Sequence, residues 1–378
     1  MRLEGFIGPS NTTLSYKYDF ERTINFYTEV SGAGVPKSKL AMIGTPGLRL
    51  RWELAQSPVR QLFYQDGRLF AVAGGGFYEL FANYTSTLYG AVARGFEPVT
   101  ICSNGSDGHQ LFIVSGGLGY IFDLNANTLT QITDPDFPTN AKMGAFLDGY
   151  FLCLQADTDK FFTSALEDGL SWNGLDVGQS NQSSDITQAM LVDHREIWLF
   201  GSQTTGVWYN NGDPSFPFVP ISGVFIQQGI IAPFSAQSLD NSVFWLGGNE
   251  QGYGVAYRAA QFTPQRISTH ATEFAWMQYE RLDDAIAYTY QEDGHAFYVI
   301  WFPSGETSWV YDVTTSQAVG APQWHERAHW NPQLDTWQPH VSRCHAFAFN
   351  KHFVGDRRSG AIYEQSVLFY DEELVVPE

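Results

Sequence analysis

Short apolar runs, each opened by a turn pair, recur along most of the chain. They are Leu69-Phe70-Ala71-Val72 after Asp66-Gly67, Leu111-Phe112-Ile113-Val114 after Asp107-Gly108, and Phe151-Leu152-Cys153-Leu154 after Asp148-Gly149. Ile197-Trp198-Leu199-Phe200 follows Asp193-His194, Val243-Phe244-Trp245-Leu246 follows Asp240-Asn241, and Phe297-Tyr298-Val299-Ile300 follows Asp293-Gly294. A seventh and weaker copy is Asn350-Lys351-His352-Phe353-Val354. Asp-Gly and its relatives tolerate the positive φ of a tight hairpin turn, so each pair predicts a turn into a buried strand. A second turn follows, usually with Gly, and then a strand rich in Tyr, Trp or Val. Examples are Phe77-Tyr78-Glu79-Leu80, Gly119-Tyr120-Ile121-Phe122, Val207-Trp208-Tyr209 and Ser308-Trp309-Val310-Tyr311. No segment keeps a helical period over a dozen residues.

From Asp66 onward the spacings are 41, 41, 45, 47, 53 and 57 residues. A period just above 40 with several short strands per unit predicts an all-β fold, a β-propeller of six or seven blades. A parallel β-helix would repeat at about half that length. The expected organisation is an extended N-terminal arm and docking segment over 1–55, the propeller over 56–370 and an acidic tail over 371–378. The N-terminal stretch is a candidate for a closing strand.

Composition supports this reading. Of 378 residues, 44% are hydrophobic, 16% aromatic and only 16% charged, with 36 Gly and 17 Pro. That suits a turn-rich β protein with a full core. Forty Asp and Glu against 21 Lys and Arg give a net charge of −19, which argues against a general nucleic-acid binder but not against a surface that nucleic acid slides past without sticking. The charge is uneven: residues 1–60 carry eight basic and five acidic side chains, leaving −22 for the rest. Opposite potentials of this kind either steer contacts between copies or partners or reflect no more than chance and solubility. No apolar run approaches the roughly 20 residues of a membrane span, and no secretory leader is expected at Met1. Three Cys make no disulfide framework; Cys102 and Cys153 are expected as buried thiols.

Candidate chemistry is sparse. Ala165-Leu166-Glu167-Asp168-Gly169-Leu170-Ser171-Trp172 resembles a degraded Asp-box of sialidase propellers, but that motif is a structural turn. His325, His329, His340 and His345 fall within 21 residues, and His325 and His329 are four apart, as on a helical metal site. The interleaved Trp324, Trp330 and Trp337 argue instead for a loop or blade edge, and no Cys pair completes a zinc set. Gly74-Gly75-Gly76 lacks the Gly-Lys-Ser end of a phosphate loop, and no Gly-x-Ser-x-Gly elbow is present. No catalytic residue, cofactor or metal is expected.

Several longer stretches stand in a fixed order. They are Lys37-Ser38-Lys39-Leu40-Ala41-Met42-Ile43-Gly44-Thr45-Pro46-Gly47-Leu48, then Glu196 to Asn210 with Thr204-Thr205-Gly206-Val207-Trp208, then Phe216-Pro217-Phe218. Pro264-Gln265-Arg266-Ile267-Ser268-Thr269, Trp309-Val310-Tyr311-Asp312, Trp324-His325-Glu326-Arg327 and Val354-Gly355-Asp356-Arg357-Arg358-Ser359-Gly360-Ala361-Ile362-Tyr363 complete the series. Thr-Pro-Gly-Leu predicts a tight turn with Gly47 at positive φ. Together these stretches resemble the packaged-DNA stabilisation proteins of short-tailed bacteriophages, the tail hub or nozzle, over residues 25–365. Two departures are Gly206, where an acidic residue is expected, and the end at Glu378, beyond which relatives continue.

The resemblance implies a structural virion protein of the tail, assembled in the host bacterial cytoplasm and not an enzyme. It implies a homo-oligomer, a hexameric ring below the portal-adaptor (head-to-tail connector) protein, that extends and closes the DNA channel and retains packaged DNA. A tail needle, fibre or spike would attach distally, and double-stranded DNA would pass without tight binding. Structural or interface candidates are Lys37, Lys39, Pro46, Gly47, Trp198, Thr204, Thr205, Trp208, Arg266, Trp324, His325, Arg327, Gly355 and Asp356. Alternatives are a glycan-binding or glycan-cleaving, sialidase-like propeller at the tail tip, and a host cytoplasmic scaffold propeller. Arg266, Arg327 and Arg343 are expected to pair with a carboxylate or stack on a ring, and Trp198 or Trp208 to be buried between blades.

Overall fold

The computed structural model describes residues 7–12, 20–31, 39–180, 185–248, 251–331 and 333–375. Among these, seven antiparallel meanders of four or five strands follow one another. The first is Val59–Gln65, Arg68–Ala73, Gly76–Leu80 and Ser86–Ala91. The second is Thr100–Ser103, Gln110–Ser115, Leu118–Asp123 and Thr128–Gln131. The third runs from Ala141–Leu147 through Tyr150–Gln155 and Lys160–Ala165 to Asp168–Gln179, and the fourth from Thr187–Asp193 through Glu196–Gly201 and Thr205–Asn210 to Phe218–Pro220. The fifth spans Gln237–Leu239 to Thr263–Arg266. The sixth has a fifth strand: Ile286–Glu292, His295–Phe302, Thr307–Asp312, Trp324–Asn331 and Thr336–Pro339. In the seventh, Ser342–Ala348, Lys351–Asp356 and Ala361–Ser366 are completed by the N-terminal strand Gly47–Glu53. The expected closing strand is therefore present, and it lies within the first 55 residues.

The predicted turn pairs sit where the chain reverses. Asp66 and Gly67, Asp148 and Gly149, Asp240 and Asn241, and Asp293 and Gly294 all have positive φ. In the fourth sheet the alignment slips by one residue. Asp193 pairs with Glu196 across the hairpin, so His194 and Arg195 occupy the turn, with φ of 47° and 66°. In the second sheet Asp107 lies in the short helical turn Gly105–Gly108, closed by His109 at φ 59°. The sequence pattern missed the first strand of each sheet, whose apolar content is lower.

The chain divides into two compact units. One comprises Leu50–Ile230, Ser342–Glu364 and the described residues from Leu374. Its second strands, such as Arg68–Ala73 and Gln110–Ser115, are apolar almost throughout because both faces are covered. Leu69 and Ala71 pack with Leu62, Cys344, Phe353 and Ile362. Phe70 and Val72, pointing the other way, pack with Phe77, Leu111, Ile113 and Phe122. Phe112 and Val114 continue the series with Ile121, Phe151, Cys153 and Trp172. Trp198 and Trp208 are both buried, and Trp208 meets Phe161 of the third sheet edge-on at 5.3 Å. Trp172, from the Asp-box-like stretch, donates its ring N–H to Gly169 O at 2.8 Å, so that stretch is a packed turn. Cys153 and Cys344 are buried free thiols; Cys102 is only half-buried.

The other unit comprises the described residues up to Arg49, Ile231–Val341 and Gln365–Glu373. Phe244 and Leu246 of its fifth sheet pack with Tyr298, Ile300 and Phe302 of its sixth. Two one-turn-plus helices serve this core. His270–Trp276 starts at a capping box made by Thr269 and Thr272 and delivers Trp276 to the centre. Val313–Val319 is capped by Asp312 and stopped by Gly320 at φ 76°.

Candidate functional site: the anchored N-terminal segment

A dense set of polar contacts lies where the N-terminal segment meets the sixth sheet, within the second unit described above. The segment runs beside Trp324–Asn331. Ser10 N donates to Trp324 O at 2.7 Å, Glu326 N to Thr23 O and Asn25 N to Glu326 O, both at 2.9 Å. Asn25 extends the ladder with its side chain, donating to Ala328 O at 2.6 Å and accepting from Ala328 N at 2.9 Å. Arg22 adds a bidentate pair to Glu326, both contacts 2.8 Å. Beyond it, the hairpin Phe26–Val30 and Leu40–Gly44 places Tyr27 among Tyr288, Tyr290, Phe297, Val299 and Val310.

His295 holds this hairpin by charge. Its Nδ1 is 2.8 Å from Asp312 Oδ2 and its Nε2 is 2.7 Å from Glu29 Oε2. Burial opposes protonation, but the two carboxylates outweigh it and push the imidazole up to about 9. Asp312 also accepts from Thr315 N at 2.9 Å, so one carboxylate caps a helix and orients the imidazolium. Thr315 Oγ1 lies 2.8 Å from Thr28 O, reaching the hairpin a second time. Neighbouring His325 is its opposite: burial first drives it down to about 3, and it sits neutral against the rings of Tyr27 and Phe297.

Arg327 is almost wholly buried. It donates to Gln365 Oε1 at 2.9 Å, to Pro46 O at 3.0 Å and to His340 Nε2 at 3.0 Å. The expected carboxylate or ring partner is thus replaced by a carbonyl, an amide and an imidazole that burial lowers to about 4 and keeps as an acceptor. Arg343 likewise donates to a carbonyl, Phe96 O, within its own unit. Arg266 does meet the expectation: its Nε is 2.6 Å from Glu273 Oε1, and its Nη2 bonds Glu273 Oε2. Trp324 is buried with its ring N–H on Ile267 O at 2.8 Å, between Trp276 and Tyr311.

Several expectations are corrected. Trp324–Asn331 is an inner strand rather than a loop or a blade edge, so His325 and His329 do not share a helix face. No group of three or more metal-ligating side chains occurs among the described residues. Gly47 does not take positive φ; it opens a strand, and it must be Gly because a Cβ there would lie 2.5 Å from Asp371 O and Phe369 O. Pro46 presents its carbonyl to Arg327. Gly355 is needed for closeness too: a Cβ would fall 2.4 Å from Val59 Cγ1. Asp356 is buried and caps its own turn, accepting from Arg358 N at 2.7 Å and Ser359 Oγ at 2.8 Å. Thr204 N donates to Asp185 Oδ2 at 3.0 Å and Thr205 Oγ1 to Gln228 O at 2.8 Å, both fixing turns of the fourth sheet. Lys39 is exposed, and Lys37 lies outside the described residues.

The described arginines of the first sixty residues bond within the chain itself. Arg49 pairs with Asp371 at 2.6 Å, Arg51 with Glu364 at 2.7 Å, and Arg60 is buried on the carbonyls of Gly74, Ala93 and Glu97. Sequence reasoning missed Glu29, His295 and Asp312 as a set, because their separations of 266 and 17 residues leave no local signal.

Comparison with known proteins follows the same lines. Virginiamycin B lyase from Staphylococcus aureus superposes with a TM-score of 0.55 at 10% identity, covering 85% of this chain and 99% of that one. The extracellular domain of the putative one-component system BT4673 from B. thetaiotaomicron gives 0.53 at 9% identity, with 85% of this chain but only 40% of that one covered. At such identities the likeness concerns the fold alone. No curated protein matches by sequence. The model of a phage stabilisation family described as bacteriophage P22 Gp10, beta-propeller, matches residues 12–366, and the seven meanders are the blades of that fold. The chain belongs to the bacteriophage P22 Gp10 beta-propeller family, a family of phage tail stabilisation components.

Proposed function

We propose that the protein is the tail hub of a short-tailed phage. Six copies form a ring below the portal-adaptor protein, extend and close the DNA channel, retain packaged DNA and carry a needle, fibre or spike. The observation that carries this reading is the family match over residues 12–366 in a chain of net charge −19. A DNA conduit must not adhere to phosphate, and an acidic wall releases no counterions on contact with DNA. Retention is then steric, by a constriction or a plug, and release is fast once the plug leaves. The segment Lys37, Lys39 and its flanks remains the proposed docking segment.

The test is a gel-shift titration of duplex DNA with the purified full chain at about 20 mM salt, where screening is weakest and any basic site binds best. The expected result is no shift, or a weak one. Tight binding would overturn the acidic-conduit reading and make the protein a direct DNA clamp.

A further inference from the structure

A bulge recurs at one position in the sheets of the first unit described above. The register of the first strand slips around Arg60 in the first sheet, Lys142 in the third, Gln188 in the fourth and Arg343 in the seventh. Each of these residues immediately precedes one that pairs near the end of the second strand. The pairs are Gln61 with Val72, Met143 with Leu154, Ala189 with Phe200 and Cys344 with Gly355, so the four bulged positions are equivalent. A bulge re-aims its side chain out of the regular pleat. Three of the four re-aimed side chains are cations, in a chain of net charge −19. The fold does not demand a cation there, since the fourth sheet has Gln188.

The cations converge. Arg60 donates to Gly74 O, Ala93 O and Glu97 O at 2.9, 2.8 and 2.7 Å, and Arg343 donates to the adjacent carbonyl, Phe96 O. Lys142 Nζ is 3.2 Å from Oε1 of Gln188, the bulged residue of the next sheet. Arg60 thus bonds carbonyls, and Lys142 an amide, where a buried charge would ordinarily take a carboxylate. The Glu97 carboxylate acts on all three cations and Asp157 on Lys142, but both acids are exposed and their charge is screened by water. Burial therefore lowers all three cations from their ordinary values, Arg343 to about 10, and the charge of Arg60 adds to the shift at Arg343. Arg22, Arg68, Arg195, Arg266 and Arg281 are raised instead, each first by a hydrogen bond to a carboxylate. The bulged cations share a counter-charge deficit that the chain fills at those other sites.

Charge and access set the class of ligand. Three neighbouring cations repel another cation and stabilise an anion more than any neutral guest. Arg60 and Arg343 are 1% and 3% exposed, too deep for a duplex backbone to reach, whereas Lys142 is half-buried and leads to them. The Lys142 ammonium has three donors and uses one on Gln188, so two remain for oxygen acceptors. We propose that Lys142, with Arg60 and Arg343 behind it, holds a small inorganic oxyanion of the phosphate class. The site does not rest on the tail-hub reading.

Phosphorus NMR of inorganic phosphate titrated with the full-length protein tests it, at an ionic strength held constant with sodium chloride. The expected result is saturable broadening of the phosphate resonance, with a thermal midpoint that rises with phosphate concentration. Lys142→Gln should weaken the apparent affinity about tenfold, the loss of one charge-assisted contact, while Lys142→Arg keeps most of it. Without phosphate, Lys142→Gln should hold or raise the thermal midpoint, because it relieves repulsion among the cations. A lysine with a structural role alone would lower the midpoint on the same substitution. Broadening that is absent, that does not saturate or that is unchanged in Lys142→Gln overturns the proposal. So does a midpoint that Lys142→Gln lowers in phosphate-free buffer. A short DNA duplex should leave the phosphate bound; displacement by the duplex would assign the site to nucleic-acid phosphate and overturn the small-anion assignment.

Discussion

A methyl group at position 47 would meet two backbone carbonyl oxygens at 2.5 Å, and backbone cannot swing aside as a side chain can. Gly47→Ala is therefore expected to destabilise the protein by about 1–3 kcal/mol, the cost of overpacking, seen as a lower thermal midpoint. Gly67→Asn, at an open positive-φ turn, should cost far less, because nothing lies within 4 Å and Asn tolerates that backbone. Trp324 combines packing with a bond. Trp324→Ala should cost about 3–5 kcal/mol in chemical denaturation. Trp324→Phe retains most of the ring stacking but orphans Ile267 O, and should cost about 1–3 kcal/mol. At this scale the sequence was legible wherever a residue type answers a local backbone demand, as at Asp66-Gly67. It misled at Gly47, where Thr-Pro-Gly suggests a turn but the Gly is required by a strand's neighbours some 320 residues away. Arg327 misled likewise: its neighbour Glu326 is committed to Arg22, leaving Arg327 to carbonyls and an imidazole.

Elements here were legible by their period and hidden where they pair at long range. The apolar second strand of each sheet stands out because both its faces are buried, while first and outer strands, half-covered, carry mixed patterns. The attachment of the hairpin Phe26–Val30 and Leu40–Gly44 left no trace in local sequence, since Glu29, His295 and Asp312 meet only in the fold. That attachment titrates. The imidazole is raised from about 6.5 in the unfolded chain to about 9 in the fold, so the folded state binds more protons between those values. Its stabilisation is full below about pH 6.5 and is lost as pH rises through about 9, amounting to on the order of 1–2 kcal/mol after screening at the half-exposed Glu29. Hydrogen exchange at Phe26–Val30 should therefore quicken between pH 6.5 and 9.5 beyond the intrinsic base-catalysed trend. His295→Gln should remove that excess pH dependence. An unchanged excess in the variant would show that His295 is not the clamp.

For the molecule as a whole, the regular period carried the fold class from sequence, and the ordered series of motifs from Lys37 to Tyr363, by its resemblance, carried the family. The blade number did not follow, because the seventh copy has Phe349-Asn350 for its turn pair and its last strand comes from residue 47 onward. Charge asymmetry was legible too, but its use was not: Arg22, Arg49 and Arg51 pair with acids of their own chain. Neutralising those three arginines should therefore lower the stability of the single chain. Sedimentation of an Arg22→Gln, Arg49→Gln, Arg51→Gln variant at a temperature where it remains folded should show an unaltered oligomer; dissociation there would place these arginines at an interface.

The most direct measurement of the tail-hub account is electron cryo-microscopy of virions that contain this chain. The account predicts six copies of the seven-bladed propeller around the DNA channel, directly below the adaptor, with acidic side chains toward the lumen. A chain found outside the tail, or present there as a monomer or trimer at the tip away from the channel, would contradict it.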